Sequence, residues 1–190
     1  MRKVVYTMSV SLDGFFEAEN GDLSWSNPDE ALFQHFIERE TLIDAHLYGR
    51  RLYENMAAFW PTADVNPSAT QQVVEYAKIW KNKPKLVFSK TLDQVGWNSR
   101  LVRGNIAGEV SELKAQAGQD LTVGGAELAA SFMQLGLIDE FWLYVRPVIL
   151  GSGKPMFRPL RDKINLQLVE TRTFRPGVVL LRYQKADERQ

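Results

Sequence analysis

Cysteine is absent from the 190-residue chain. That excludes disulfide frameworks, thiolate nucleophiles and cysteine-held zinc or iron–sulfur centres. Histidine is scarce: only His35 and His46 occur, too few for a histidine-rich metal site. An excess of either charge is missing as well, since 23 Lys and Arg balance 23 Asp and Glu. Nothing in that balance draws the chain to nucleic acid or an anionic membrane as partner. No apolar run reaches membrane-spanning length. The Val4–Val10 stretch after Met1-Arg2-Lys3 has no small-residue cleavage site and meets Asp13 quickly, so it reads as a buried strand rather than a secretion signal. A soluble, cytoplasmic protein is the expectation.

What is present fits one domain over residues 1–190. Hydrophobic residues make up 45% and charged ones 24%, enough apolar surface to collapse around a core. Strand and helix signals alternate, which favours an α/β domain. Val4 to Val10 reads as a strand closed by the Asp13-Gly14 turn. Asn27 as N-cap and Pro28 at the first helical position predict a helix with Leu32, Phe33, Phe36 and Ile37 on its apolar face. Ala45 to Tyr48 is a strand ending at Gly49, and a helix follows from Arg50 until Phe59-Trp60-Pro61 breaks it. Asn66 and Pro67 open another helix, with Val73, Ala77 and Trp80 on one face.

Lys85 to Ser89 and Leu101 to Arg103 read as strands. Asn105 caps a helix with Ile106, Val110, Leu113 and Ala117 inward, and Gly118 stops it. Leu121 to Val123 runs into Gly124-Gly125, and the next helix buries Leu128, Ala129, Phe132 and Leu135. From Glu140 onward, Phe141–Val145, Leu166–Thr173 and Val178–Tyr183 are strand-like without long helices between them. The last third is therefore antiparallel, added to a parallel centre in a mixed sheet.

Several motifs fail. Gly151-Ser152-Gly153 has Met156 where a dinucleotide fingerprint needs its third glycine, and Pro155 after Lys154 defeats a phosphate loop. No Gly-x-Ser-x-Gly nucleophile elbow occurs. His35 falls on the polar side of its helix and reads as solvent-exposed. His46 reads as a strand histidine satisfied by its neighbours.

Three strand ends carry groups suited to an anionic ligand. Gly49-Arg50-Arg51 combines a glycine at a strand-to-helix junction with two guanidinium groups. Ser89-Lys90-Thr91 places two hydroxyls and an ammonium after a strand. Gly124-Gly125-Ala126 is a second strand-to-helix junction. Ligands of open α/β sheets bind at the carboxyl ends of the strands, so the three can line one crevice. A side chain at Gly125 is expected to block that crevice without harming the fold.

In order along the chain, Ser11-Leu12-Asp13-Gly14, Gly49-Arg50 with Tyr53-Glu54, Ser89-Lys90-Thr91-Leu92, Gly124-Gly125-Ala126, Gly136-Leu137-Ile138-Asp139-Glu140 and Pro147 to Gly153 with Pro155-Met156-Phe157 form a specific set. With them the sequence resembles the dihydrofolate reductase superfamily, and within it the riboflavin-biosynthesis reductase that forms the C-terminal domain of bacterial bifunctional deaminase-reductases. Without cysteine, this chain could not hold the zinc site of the deaminase half. The resemblance implies a three-layer fold with helices on both faces of the sheet, and NADPH as cofactor. It places phosphates at Gly49, Arg50 and Arg51, the adenosine 2′-phosphate at Ser89, Lys90 and Thr91, and the pyrophosphate at Gly124, Gly125, Ala126, Glu127 and Leu128. The family's usual threonine is replaced by Leu52, so one phosphate hydroxyl is lost.

On the substrate side the resemblance places Ser11, Asp13 and Trp25 near the nicotinamide and a heterocyclic substrate. The Trp25-to-Glu30 spacing is similar to that before the catalytic carboxylate of dihydrofolate reductases, which makes Glu30 a candidate proton donor and a water held by Asp13 another. Equally, Asn27 with Glu30 forms a capping box, and Asp13 serves the Asp-Gly turn. The implied activity is hydride transfer to a pyrimidine- or pterin-type ring, as in 5-amino-6-(5-phosphoribosylamino)uracil reductase. Rival readings are a dihydrofolate reductase and a non-catalytic NADP(H)-binding module. The resemblance and the apolar Phe141–Val145 strand together predict a homodimer through the C-terminal strands.

Overall fold

The computed structural model describes residues 1–186. Ten strands and five helices follow in the order β1 (Val4–Ser11), β2 (Phe15–Ala18), α1 (Glu30–Arg39), β3 (Ile43–Gly49), α2 (Arg50–Ala63), α3 (Gln71–Asn82), β4 (Lys85–Phe88), β5 (Ser99–Val102), α4 (Ile106–Ala115), β6 (Asp120–Gly124), α5 (Ala126–Gln134), β7 (Glu140–Arg146), β8 (Gly153–Pro155), β9 (Leu166–Phe174) and β10 (Val178–Lys185). Eight strands form one sheet in the order β5-β4-β3-β6-β1-β7-β10-β9. Its centre is parallel, and β10 runs antiparallel to both β7 and β9. The mixed sheet expected from the sequence is the one found.

Strand alternation divides the core between two faces. Val4, Tyr6, Leu47, Leu121 and Val123 face α4 and α5, packing with Val110, Leu128, Ala129 and Phe132. On the opposite face Val5, Trp142, Tyr144 and Leu180 meet Leu32 and Phe36 of α1. Beside them, Tyr48 and Val87 meet Leu52, Tyr53 and Met56 of α2 and Tyr76 and Trp80 of α3. These are the three layers. Apolar burial of this kind stabilises at roughly 25 cal/mol per Å².

The structure corrects several local expectations. The N-cap of α1 is Asp29, whose carboxylate accepts from the Leu32 amide at 2.8 Å. Asn27 instead closes a short 3-10 turn at ψ 129°, as expected of a residue whose helical conformation is disfavoured by the following Pro28. No Asn27–Glu30 capping box forms. Pro61 lies inside α2; only two residues follow it there, so the lost backbone bond falls in the terminal turn. The Asn66 side chain closes a turn onto the Ser68 amide at 2.9 Å, and Thr70 caps α3. Ala117 and Leu135 lie past the ends of their helices and are exposed. The small β2–β8 sheet, too short to show a period, was not foreseen.

Candidate functional site

Lateral register brings together the three strand ends expected to suit an anion. Tyr48 of β3 pairs with Gly124 of β6, and Gly49 pairs with Phe88 of β4. The segments that follow, Arg50-Arg51, Ser89-Lys90-Thr91 and Gly125 to Leu128, therefore emerge side by side. All of these residues, with Gly49 and Gly124, line one cavity of about 950 Å³. Phe88 also pairs with Val102 of β5, which adds Arg103 and Gly104 to the lining. This fourth strand-to-helix junction was visible in the sequence as Asn105, the cap of α4.

Neither Gly49 nor Gly125 places a side-chain cap on its helix. In α5 the Ala129 amide is bonded to the Gly125 carbonyl at 3.0 Å, so the amides of Ala126, Glu127 and Leu128 precede the first intrahelical bond. The first turn of α2 presents a second such set. Two helix dipoles thus point positive ends at the cavity.

The close approach of α2 explains the glycines: a β-carbon at Gly124 would lie 2.5 Å from Leu52 Cδ2. Gly125 adopts φ +91°, a region closed to β-branched residues. A valine there would strain the backbone, contrary to the expectation that such a substitution leaves the fold unharmed.

Charges at this rim are partly committed. Arg51 bonds the buried Glu17 carboxylate at 2.8 Å, and Lys154 bonds the same oxygen at 2.6 Å. Burial pushes Glu17 up, but those two cations outweigh it and hold the carboxyl below its ordinary value. Arg158 pairs with Glu127 at 2.9 Å, while Arg50 reaches Glu54 only at 3.7 Å. Ser89 Oγ accepts from the Leu92 amide at 3.0 Å and the Thr91 amide at 3.2 Å, which pre-forms the Ser89–Thr91 turn.

The cavity continues over the sheet into a chamber between α1 and the α2–α3 pair. Phe33, Phe36, Trp60, Tyr76 and Tyr144 are among its walls. Trp60 and Tyr76 ring centres stand 4.5 Å apart, and Phe36 meets Tyr144 edge-on at 4.9 Å. Its floor comes from residues that share a face by register: His46 beside Thr122, Tyr48 beside Gly124, and Thr7 with Ser9 on β1.

His46 Nδ1 lies 2.7 Å from Thr122 Oγ1, as the reading of a satisfied strand histidine expects, and Nε2 lies 3.1 Å from Glu40 Oε2. The Nε2 contact is an ion-pair distance without hydrogen-bond alignment. Burial raises the Glu40 carboxyl, but His46 and Lys83 offset it and leave it below its ordinary value. These residues escaped the sequence reading because only strand register unites them. The signal available was period-2 alternation, which puts Thr7 and Ser9 on one face of β1.

His35 departs from expectation. It is half-buried, with Nε2 3.0 Å from the Tyr144 hydroxyl. Burial, assisted by the charges of Arg39 and Arg172, pushes its pKa down to about 4. It is therefore neutral at pH 7.

Ser11, Asp13, Trp25 and Glu30 are not among the residues lining the cavity. Ser11 Oγ donates to Asp13 at 2.7 Å, and Asp13 accepts from the amides of Leu150 and Gly151 at 3.1 and 2.7 Å. The Ser11 bond first, then those amides, hold the Asp13 carboxyl low. Trp25 Nε1 donates to the Asp22 carbonyl at 3.2 Å. Glu30 is exposed in the first turn of α1, and its carbonyl accepts from Gln72 at 3.0 Å. From the same loop it is Leu23, Ser26 and Pro28 that reach the cavity. Arg146 anchors that loop from beneath through the Ser26 and Asn27 carbonyls.

Among the described residues no cluster of His, Asp or Glu could hold a metal ion, and no helix is long and apolar enough to cross a membrane.

Comparison with known proteins agrees with this architecture. A putative riboflavin biosynthesis protein from Shewanella sp. PV-4 superposes with a TM-score of 0.75 at 22% identity, covering 97% of this chain and 99% of that one. Dihydrofolate reductase from Enterococcus faecalis, in a structure complexed with NADP(H), superposes at 0.64 with 10% identity and 97% of each chain covered. Both likenesses are of fold, and they establish the dihydrofolate-reductase-like architecture. In sequence, the uncharacterized protein YyaP of Bacillus subtilis is 38% identical over 184 residues, or 96% of this chain and 94% of that one. The family model of the RibD C-terminal domain matches residues 2–180, and with these strand ends and this sheet order the chain belongs to that family.

Proposed function

We propose that the protein is an NADPH-dependent reductase acting on a pyrimidine- or pterin-type ring, similar to 5-amino-6-(5-phosphoribosylamino)uracil reductase. One observation carries the reading: three strand ends rich in anion-binding groups open onto a single cavity that continues into an aromatic chamber. The donor set fits a dinucleotide. Amides at the starts of α2 and α5 take phosphate oxygens, and Ser89, Lys90 and Thr91 suit a 2′-phosphate. When bound, NADPH supplies the hydride. The chain's own part is to hold a ring flat between aromatic walls and to exclude water from it.

Glu30 and a water held by Asp13 are the proton sources that the sequence offers, and neither side chain is among the residues lining the cavity. Because the Glu30 side chain lies outside the cavity lining, Glu30→Gln is expected to leave turnover unchanged. A large fall in the chemical step with NADPH binding intact would place that carboxyl in the reaction.

Calorimetric titration with NADPH and NADH tests the cofactor, and a substrate panel beginning with ribosylaminopyrimidines and dihydrofolate tests turnover. Binding without consumption of NADPH on any panel member would favour a sensing module. Arg50→Ala is expected to weaken NADPH roughly fivefold, the worth of about 1 kcal/mol for an exposed ion pair, and to flatten the salt dependence. An identical salt dependence would remove Arg50 from the site.

A further inference from the structure

Arg39, in the last turn of α1, has a buried guanidinium Nε without a partner, and it lines the chamber. Its Nη1 donates to Thr7 Oγ1 at 3.2 Å and to the Tyr144 hydroxyl at 3.0 Å. Both acceptors are neutral. The guanidinium carbon also stacks 4.3 Å from the centre of the Trp142 ring. Neither Nε nor Nη2 has a hydrogen-bond partner among the described residues.

The adjacent carboxylate, Glu40, is turned to His46 and Lys83. Arg39 itself joins no ion pair among the described residues. A guanidinium held by neutral hydroxyls and an aromatic face has donors left to pair with an anion. Arg182, which stacks on the same Trp142 ring at 4.1 Å, is by contrast paired with Glu140 and Glu170. Arg39 thus lines the chamber without an ion-pair partner among the described residues.

We propose that Arg39 binds a carboxylate attached to the planar ring that enters the chamber. The proposal deepens the reductase reading and rests on it for the ring. A single guanidinium that forms no ion pair among the described residues matches a monoanion, and its planar donors suit a carboxylate lying in the plane of the ring. The half-buried His35, whose Nε2 meets the other side of the Tyr144 hydroxyl, is held neutral in part by Arg39. That is consistent with a surplus of positive charge here. Aromatic walls on either side supply contact for the ring faces.

Two matched probe pairs test the proposal by calorimetry on the full chain: orotate against uracil, and pterin-6-carboxylate against pterin. The carboxylate member of a pair is expected to bind about tenfold more tightly, as a charge-assisted contact predicts. Arg39→Met should abolish the preference, and Arg39→Lys should retain only part of it. A second readout needs no substituted protein to stay folded: the ¹⁵N–¹H signal of Arg39 Nε in the native chain should move on adding orotate and stay still with uracil. Absence of a carboxylate preference in both pairs, its survival in Arg39→Met, or an unmoved Nε signal would each overturn the proposal. Titration with NADPH is run beside these measurements. Failure to bind NADPH counts against the dinucleotide reading, whereas failure to prefer the carboxylate counts against Arg39 alone.

Discussion

At the scale of single residues, His35 carries a pH dependence that can be signed. Its pKa falls from 6.5 in an exposed imidazole to about 4 in the folded chain, first by burial and then by the charge of Arg39. Between those values the unfolded chain takes up a proton that the folded chain refuses. Stability therefore falls as pH drops from about 6.5 towards 4. The carboxyls held low here, Glu17, Glu40 and Glu140, lose their contribution only below their ordinary value of 4.5. The interval between pH 6.5 and 4.5 belongs to His35 in this group. Thermal melting across it should show a declining midpoint in the native protein and a flatter profile in His35→Gln, which has no group to protonate in this interval. Equal slopes would mean that His35 titrates freely.

At the scale of elements, α1 shows how a local rule selects between neighbouring polar residues. Asn27 and Asp29 are both good N-caps by type. Pro28 decides between them, because the residue before a proline is pushed out of the helical region. Asp29→Ala is expected to cost about 1 kcal/mol, or roughly 2–4 °C in melting temperature for a chain of this size. Asn27→Ala should stay within about 0.5 kcal/mol, since its side chain caps nothing. Melting of the two variants side by side checks the assignment, and a larger loss at Asn27 would reverse it.

The same elements show what the sequence made legible. Val4–Val10, Phe141–Val145 and the helix beginning at Arg50 were readable because periodicity and punctuation act locally. The three strand ends that share the cavity were readable too, because each piece follows its own strand. The chamber was not. Thr7, His46, Thr122 and Tyr144 meet only through the pairing of β3, β6, β1 and β7, and nothing local in the chain states that order. His35 was misread for the same reason: the strand that makes its side of α1 an interior one lies more than a hundred positions away.

At the scale of the whole molecule, the sheet itself suggests how two copies would meet. The expectation of a homodimer drew on the apolar β7 strand, which needs cover on both faces. The chain provides that cover itself, with Phe141 in the core under α4 and α5, and Trp142 and Tyr144 in the core under α1. β7 is therefore not a subunit surface. Of the two edge strands, β5 and β9, β9 is the longer at nine residues, and among the described residues it pairs only to β10. It exposes Leu166, Leu168 and Val169 at 36%, 50% and 47%. Leu168 pairs with Tyr183 and so extends the apolar face that Tyr183 packs into.

A long edge strand with exposed apolar side chains is a template for further pairing. A two-fold axis that sets β9 antiparallel to its copy would use the same residues on both sides. We propose this homodimer. Light scattering at micromolar concentration should give twice the 21.7 kDa chain mass, and Leu168→Glu should return the monomer, because like charges would meet across the junction. Deuterium exchange of the β9 amides should slow as protein concentration rises. A monomer mass for the native chain would reject the dimer. A dimer unchanged by Leu168→Glu, with β9 exchange independent of concentration, would move the interface to another face.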